Sequence, residues 1–164
     1  MLTLLLGVAS AASQTPMASA DAQTPMVSLA NITRVGIFEA QPIGTPGVLG
    51  SFTGYNYHFL SSSPMIPARK GVQFGFEYRL VGQPQDATVS LKSVTLFPGT
   101  GLVNPDTGQA AMRSENVIAK NIGPLYLTGY KFEKDWELVP GQWVMQIWYG
   151  DQDVAEEVFT VFKP

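Results

Sequence analysis

Apolar and polar residues alternate along the last quarter of the chain. Trp143, Met145, Ile147 and Tyr149 fall on one parity, and Val144, Gln146 and Trp148 on the other. That is the period of a strand, whose successive side chains point to opposite faces. Ahead of it, Pro140-Gly141 suits the central positions of a type II turn, where Pro presets φ and Gly accepts a positive one. Behind it, Gly150-Asp151-Gln152-Asp153 is turn chemistry, and Phe159 and Val161 share a face of the returning strand. The pattern predicts a terminal β-hairpin with at least one strongly apolar face.

The same alternation recurs upstream. Val72, Phe74, Phe76, Tyr78 and Leu80 share one face, opposite Gln73, Gly75, Glu77 and Arg79, so one side is core and the other solvent. From Thr88 to Phe97, Val89 and Leu91 hold one parity, whereas Val94 and Leu96 hold the other. This switch predicts a bulge near Ser93, because one extra residue exchanges the parity that faces inward. Further strands are expected at Ile32 to Phe38, Phe52 to Leu60 and Leu125 to Phe132. Between them, Ser61 to Pro67 carries two prolines unsuited to a central ladder position. Gly- and Pro-rich loops fall at Gln41 to Gly50 and Pro98 to Gly108. Gln109 to Ala119 fits a short helix and a strand equally well. No window sustains a 3.6-residue period. Strands with Gly/Pro turns predict an all-β fold, an antiparallel β-sandwich of immunoglobulin-like architecture.

Composition narrows the classes of function. The 164 residues are 45% hydrophobic and 11% aromatic, enough for a packed single domain. Ten Lys+Arg against 13 Asp+Glu leave a net charge of −3 with no basic run, which argues against nucleic acid and anionic lipid as partners. The absence of cysteine removes disulfides, thiolate metal sites and a Cys nucleophile.

The N-terminus suggests export. An apolar run, Leu2 to Val8, precedes the small-residue triplet Ala9-Ser10-Ala11, and Ala18-Ser19-Ala20 offers a second cleavage point. The run is too short to span a bilayer, and no Lys or Arg precedes Leu2. The expected organisation is a signal peptide or disordered leader over 1–20, a flexible segment over 21–29, and a single β-sandwich domain over 30–164.

Three segments carry a family resemblance. Ile66-Pro67-Ala68-Arg69-Lys70-Gly71-Val72-Gln73-Phe74-Gly75-Phe76-Glu77-Tyr78 resembles a block of the bacterial family known as domain of unknown function 3859. Gly129-Tyr130-Lys131-Phe132, and Trp136 to Trp143 running into Ile147-Trp148-Tyr149, resemble its C-terminal block. The likeness spans roughly Val35 to Phe162. It implies an exported bacterial β-sandwich and transfers no activity.

Candidate chemistry is sparse. His58, the sole histidine, sits among Tyr55, Tyr57 and Phe59 and reads as a strand residue rather than a base or ligand. Ser61, Ser62 and Ser63 lack the elbow of a nucleophilic serine. Asp151, Asp153, Glu156 and Glu157 supply oxygen ligands but miss the calcium-loop pattern, so a solvated acidic hairpin is expected. Gly99-Thr100-Gly101 lacks the lysine of a phosphate loop and reads as a turn. Among the aromatics, Trp143 shares the buried parity, while Trp148 lies opposite it with Gln146. Trp148, Trp136 and Tyr130 are the candidate binding residues, as a flat platform for a sugar ring or a peptide; a cover over both faces of the strand would bury Trp148 instead.

The expectation is an exported, non-enzymatic domain, periplasmic or secreted, that binds an envelope protein or a glycan. No catalytic residue, metal site, cofactor, nucleic-acid partner or membrane span is expected. One alternative is a hydrolase in which two of Glu77, Asp135 and Glu137 converge in a cleft. The other is an accessory domain that engages partners by edge-strand addition.

Overall fold

The computed structural model describes residues 23–44, 54–99 and 101–164. The expected signal peptide, the bulk of the loop after Ile43 and residue Phe52 lie outside these residues, as does Thr100.

Among the described residues, eleven strands and one short turn of 3-10 helix follow each other. They are β1 (Met26–Ile43), β2 (Gly54–Ser61), β3 (Met65–Pro67), β4 (Gln73–Gln83), β5 (Thr88–Leu96), β6 (Leu102–Val103) and β7 (Ala110–Ala111). After these come β8 (Arg113–Asn121), β9 (Leu125–Lys131), the 3-10 turn (Asp135–Glu137), β10 (Gly141–Tyr149) and β11 (Gln152–Phe162). One sheet has the order β2-β1-β4-β9 and the other β3-β11-β10-β5-β8, with β6 and β7 paired as a separate small hairpin. Pairing is antiparallel except between β3 and β11. This is the immunoglobulin-like β-sandwich the alternation predicts.

The two inner faces meet in an aromatic core. Phe74, Phe76, Tyr78 and Leu80 of β4 face Trp143, Met145 and Ile147 of β10 and Phe159 and Val161 of β11, all almost fully buried. Phe74 lies 5.1 Å from Phe159 and 5.9 Å from Trp143, ring centre to ring centre, both edge-on, the arrangement aromatic quadrupoles favour. Polar contacts also join the sheets: the hydroxyls of Ser93 and Thr128 are 3.2 Å apart, and the Asn121 N–H of β8 donates to the Tyr126 hydroxyl of β9 at 2.9 Å. The indole N–H of Trp143 donates to Val139 O at 2.9 Å, so a large buried side chain keeps its hydrogen bond.

Several expectations are corrected. The strand expected from Ile32 begins at Met26, inside the segment expected to be flexible, because Met26 to Ala30 pair with β4. Gln109 to Ala119, left open between helix and strand by its sequence, is mainly strand, split between β7 and β8. Pro140-Gly141 makes no turn; Gly141, at φ +135° and packed on Pro98, is the first residue of β10. The final turn is tighter than expected: Gly150-Asp151 alone connect Tyr149 to its partner Gln152, with Gly150 at φ +57°. Most consequential is β5. It pairs with β10 and with β8 in unbroken register through Ser93, so the expected bulge is absent. A bulge does occur next door on β11, where Val154 is extra between Asp153 and Ala155.

Candidate functional site

Because β5 runs straight, its parity switch has another meaning. Val94 and Leu96 point away from the core, onto the outer face of the five-stranded sheet. Cross-strand pairing aligns them with Gln146 and Val144 of β10, and Lys92 with Trp148. Val94 is only 4% exposed yet stands outside the inter-sheet cluster. Its cover therefore comes from neighbours on the outer face. Trp148, Gln146, Lys92, Leu96, Arg113 and Glu115 surround it and line a shallow cleft of about 390 Å³. The apolar surface continues to Val158 and Val117, both exposed.

Polar contacts fix the cleft. Trp148 Nε1–H donates to Gln146 Oε1 at 3.0 Å, and Gln146 Nε2 donates to Glu156 Oε2 at 2.7 Å. The Lys92 ammonium stands 5.7 Å from the Trp148 ring centre, within cation–π range. Arg113 and Glu115, two apart on β8 and so on one face, form an ion pair of 3.0 Å. The result is an apolar centre rimmed by both signs of charge. An apolar centre with a charged rim of this kind can bind.

The three candidate aromatics do not form one platform. Trp148 lies on the outer face just described. Tyr130 pairs with Phe74 on the inner face of the four-stranded sheet, 5.0 Å from Trp143. Burial raises its phenol well above the ordinary tyrosine range, reinforced by the neighbouring Glu137 carboxylate, to which it is hydrogen-bonded. It packs, half-buried, against the core, and its inward parity follows from the register of β9 against β4. Trp136 sits in the 3-10 turn, half-buried against the core, and faces a different cleft beside the β6–β7 hairpin.

The carboxylates considered for hydrolysis hold separate structural posts. Glu77 accepts the Thr33 hydroxyl at 2.6 Å and lies 3.7 Å from Arg34 on the outer face of the four-stranded sheet. Asp135 pairs with Lys70 at 3.0 Å. Glu137 is buried and caps its own turn, accepting the backbone N–H groups of Glu133 at 2.6 Å and Lys134 at 2.9 Å. Among the described residues, no three His, Cys, Asp or Glu side chains are grouped to hold a metal. In the acidic hairpin, burial first and the Glu156 charge second raise the Asp153 carboxyl, against the Ala155 N–H that lowers it. Burial likewise raises Glu157, whose position opposite Met145 on β11 turns it inward. His58 is an exposed residue of β2, paired with Glu39. Gly101 N–H donates to Pro98 O at 3.0 Å, a turn hydrogen bond.

Sequence reasoning missed a second outward aromatic group. Phe38, 2% exposed, also stands outside the inter-sheet cluster, with Tyr57 and Phe59 at 5.8 and 5.6 Å and the Gly129 backbone beneath it. The Arg34 guanidinium lies over Phe59 at 5.2 Å. The dense aromatics of β2 were the available signal, but the face they occupy depends on the bulge between Ile37 and Phe38.

Comparison with known proteins follows the fold closely. The family model described as domain of unknown function (DUF3859) matches residues 27–161. Among solved structures, an immunoglobulin-like protein from Pseudomonas aeruginosa is similar, with 29% identity and a TM-score of 0.58 over 81% of this chain and 96% of that one. A candidate lipoprotein from Bacillus anthracis shares 18% identity at a TM-score of 0.29, over 62% of this chain and 70% of that one, too slight a likeness to carry an argument. No curated protein matches the chain.

Proposed function

The chain belongs to the family described as domain of unknown function 3859, and on that premise we propose that it is a non-catalytic binding domain. Its contact surface is the outer face of the five-stranded sheet, centred on Trp148, and its partner is an envelope protein. The observation that carries this reading is the buried Val94 on an outward face, covered by Trp148 and Gln146. An outer sheet face ordinarily reads polar. Here an apolar centre with an aromatic anchor is rimmed by Lys92, Arg113, Glu115 and Glu156. That is the anatomy of a protein–protein contact, where charge is depleted at the centre and both signs on the rim orient the partner. The leader Leu2 to Ala11 supports export, so the domain meets this partner in the periplasm or outside the cell.

The test is capture of crosslinked partners from envelope extract by the immobilised domain. A protein captured by the wild type and by Tyr57→Ala, on the opposite sheet, but lost with Trp148→Ala supports the proposal. Unchanged capture by Trp148→Ala overturns it, as does retention of polysaccharide at this face instead of protein.

One observation favours edge-strand addition as a second mode. β8 pairs with β5 over all nine of its residues without a register break, contains no proline, and ends the order of its sheet. Such an edge is a template for an added strand. If this mode operates, capture survives Trp148→Ala and is lost when proline is placed on β8.

A further inference from the structure

We propose that the cleft between the β6–β7 hairpin and the 3-10 turn is a subsite for a neutral sugar ring, a hexopyranose. It is separate from the Trp148 face and rests on other residues. The cleft encloses about 300 Å³ and is lined by Trp136, Leu102, Ala110 and Ala111, with Asn104, Thr107 and Gln109 from the hairpin tip. That volume is at the lower end of the small-ligand range.

The chemistry of the lining selects the ligand. It holds one indole, one leucine, two alanines and three neutral polar side chains, with no ionised group. A charged ligand would lose its hydration there without a countercharge. A purely apolar ligand would desolvate the amides and leave them unpaired. A pyranose answers both: its C–H face packs on an aromatic plane, and its hydroxyls exchange hydrogen bonds with amides and hydroxyls.

The hairpin tip is also set in advance. Asn104 N–H donates to Gln109 O at 2.9 Å, and Gly108 N–H donates to Asn104 O at 2.8 Å. Asn104 Oδ1 accepts the Asp106 N–H at 2.9 Å, and Thr107 Oγ1 accepts the Gln109 N–H at 3.3 Å. With Asn104 Oδ1 engaged, the planar Asn104 amide holds its nitrogen as a donor in a set direction, and the Thr107 hydroxyl can still rotate to donate. Trp136 is held in turn, because it packs against the core and its turn is capped by Glu137. A site with donors and ring already in place spares part of the ordering cost of binding.

The experiment titrates the whole folded protein with the methyl β-glycosides of glucose, galactose and N-acetylglucosamine while following the three tryptophan indole N–H resonances. The expected result is a saturable shift of the Trp136 resonance with at least one glycoside and none at Trp148. Gln109→Ala, an exposed change away from the core, is expected to weaken that titration about fivefold. Trp148→Ala is expected to leave it unchanged. Failure of all three glycosides to move the Trp136 resonance overturns the proposal. So does a titration that Gln109→Ala leaves untouched.

Discussion

Trp148 and Gln146 stand two residues apart on one face of β10, joined by an indole N–H to amide oxygen hydrogen bond of 3.0 Å. Because Gln146 is itself anchored to Glu156 across the strand pair, the indole is oriented before any partner arrives. Replacing Gln146 by Ala is expected to leave the fold intact, at a cost of about 1 kcal/mol or less. It should move the Trp148 indole N–H resonance and reduce partner capture. A resonance at its wild-type position in Gln146→Ala would contradict the assigned bond.

Gly129 lies under the Phe38 ring. A Cβ there would stand 2.8 Å from the Phe38 ring carbon Cζ and 2.5 Å from the carbonyl oxygen of Phe74. The ring can shift but the backbone carbonyl cannot, so Gly129→Ala is expected to cost about 1–3 kcal/mol. Urea denaturation checks this, and adding Phe38→Leu should recover only part of the loss. Full recovery would mean that the carbonyl contact is unimportant.

Glu137 joins the 3-10 turn to the core through two backbone N–H groups and Tyr130. Removing a buried acceptor strands its donors, so Glu137→Ala is expected to lose about 1–3 kcal/mol in urea denaturation. Glu137→Gln keeps an acceptor oxygen and should lose less. Equal losses would contradict the capping role.

Asp153 and Glu157 both have carboxyls raised in the folded state. Between the unfolded and the folded pKa of each group, the folded protein holds more protons than the unfolded one. Their contribution therefore favours folding at low pH and is lost as pH rises through that interval. The double variant Asp153→Asn, Glu157→Gln is expected to melt higher than wild type at neutral pH, with the difference shrinking on acidification through the carboxylate range. A difference independent of pH would contradict the assignment.

The phenol of Tyr78 is buried, with no hydrogen-bond partner among the described residues. Tyr78→Phe removes a desolvated hydroxyl that gains nothing in return, so stability should hold or rise by up to about 1 kcal/mol. A clear loss in thermal denaturation would reveal a partner for that hydroxyl.

The strands of the core were legible because local alternation and burial agree. Phe74, Phe76 and Tyr78 on β4 and Trp143, Met145 and Ile147 on β10 declare their inward face without knowledge of their neighbours. Gln109 to Ala119 was ambiguous because β8 owes its conformation to pairing with β5, which no local pattern encodes. Tyr130 was misplaced for the same reason: its inward face follows from register against Phe74, not from the mixed residues around it. The switch at Val94 was seen, but alternation alone cannot distinguish a bulge from an apolar patch on the outer face. Only the unbroken ladder from Lys92 to Leu96 decides between them, and it turns an apparent irregularity of folding into the centre of the proposed site.

The most direct test of the central claim is amide hydrogen exchange on the domain alone and with its captured partner. Protection gained along β5, β8 and β10 around Val94, Arg113 and Trp148, with β1 and β2 unchanged, is the predicted result. Protection confined to the four-stranded sheet, or gained nowhere on the outer face of β10, would contradict it.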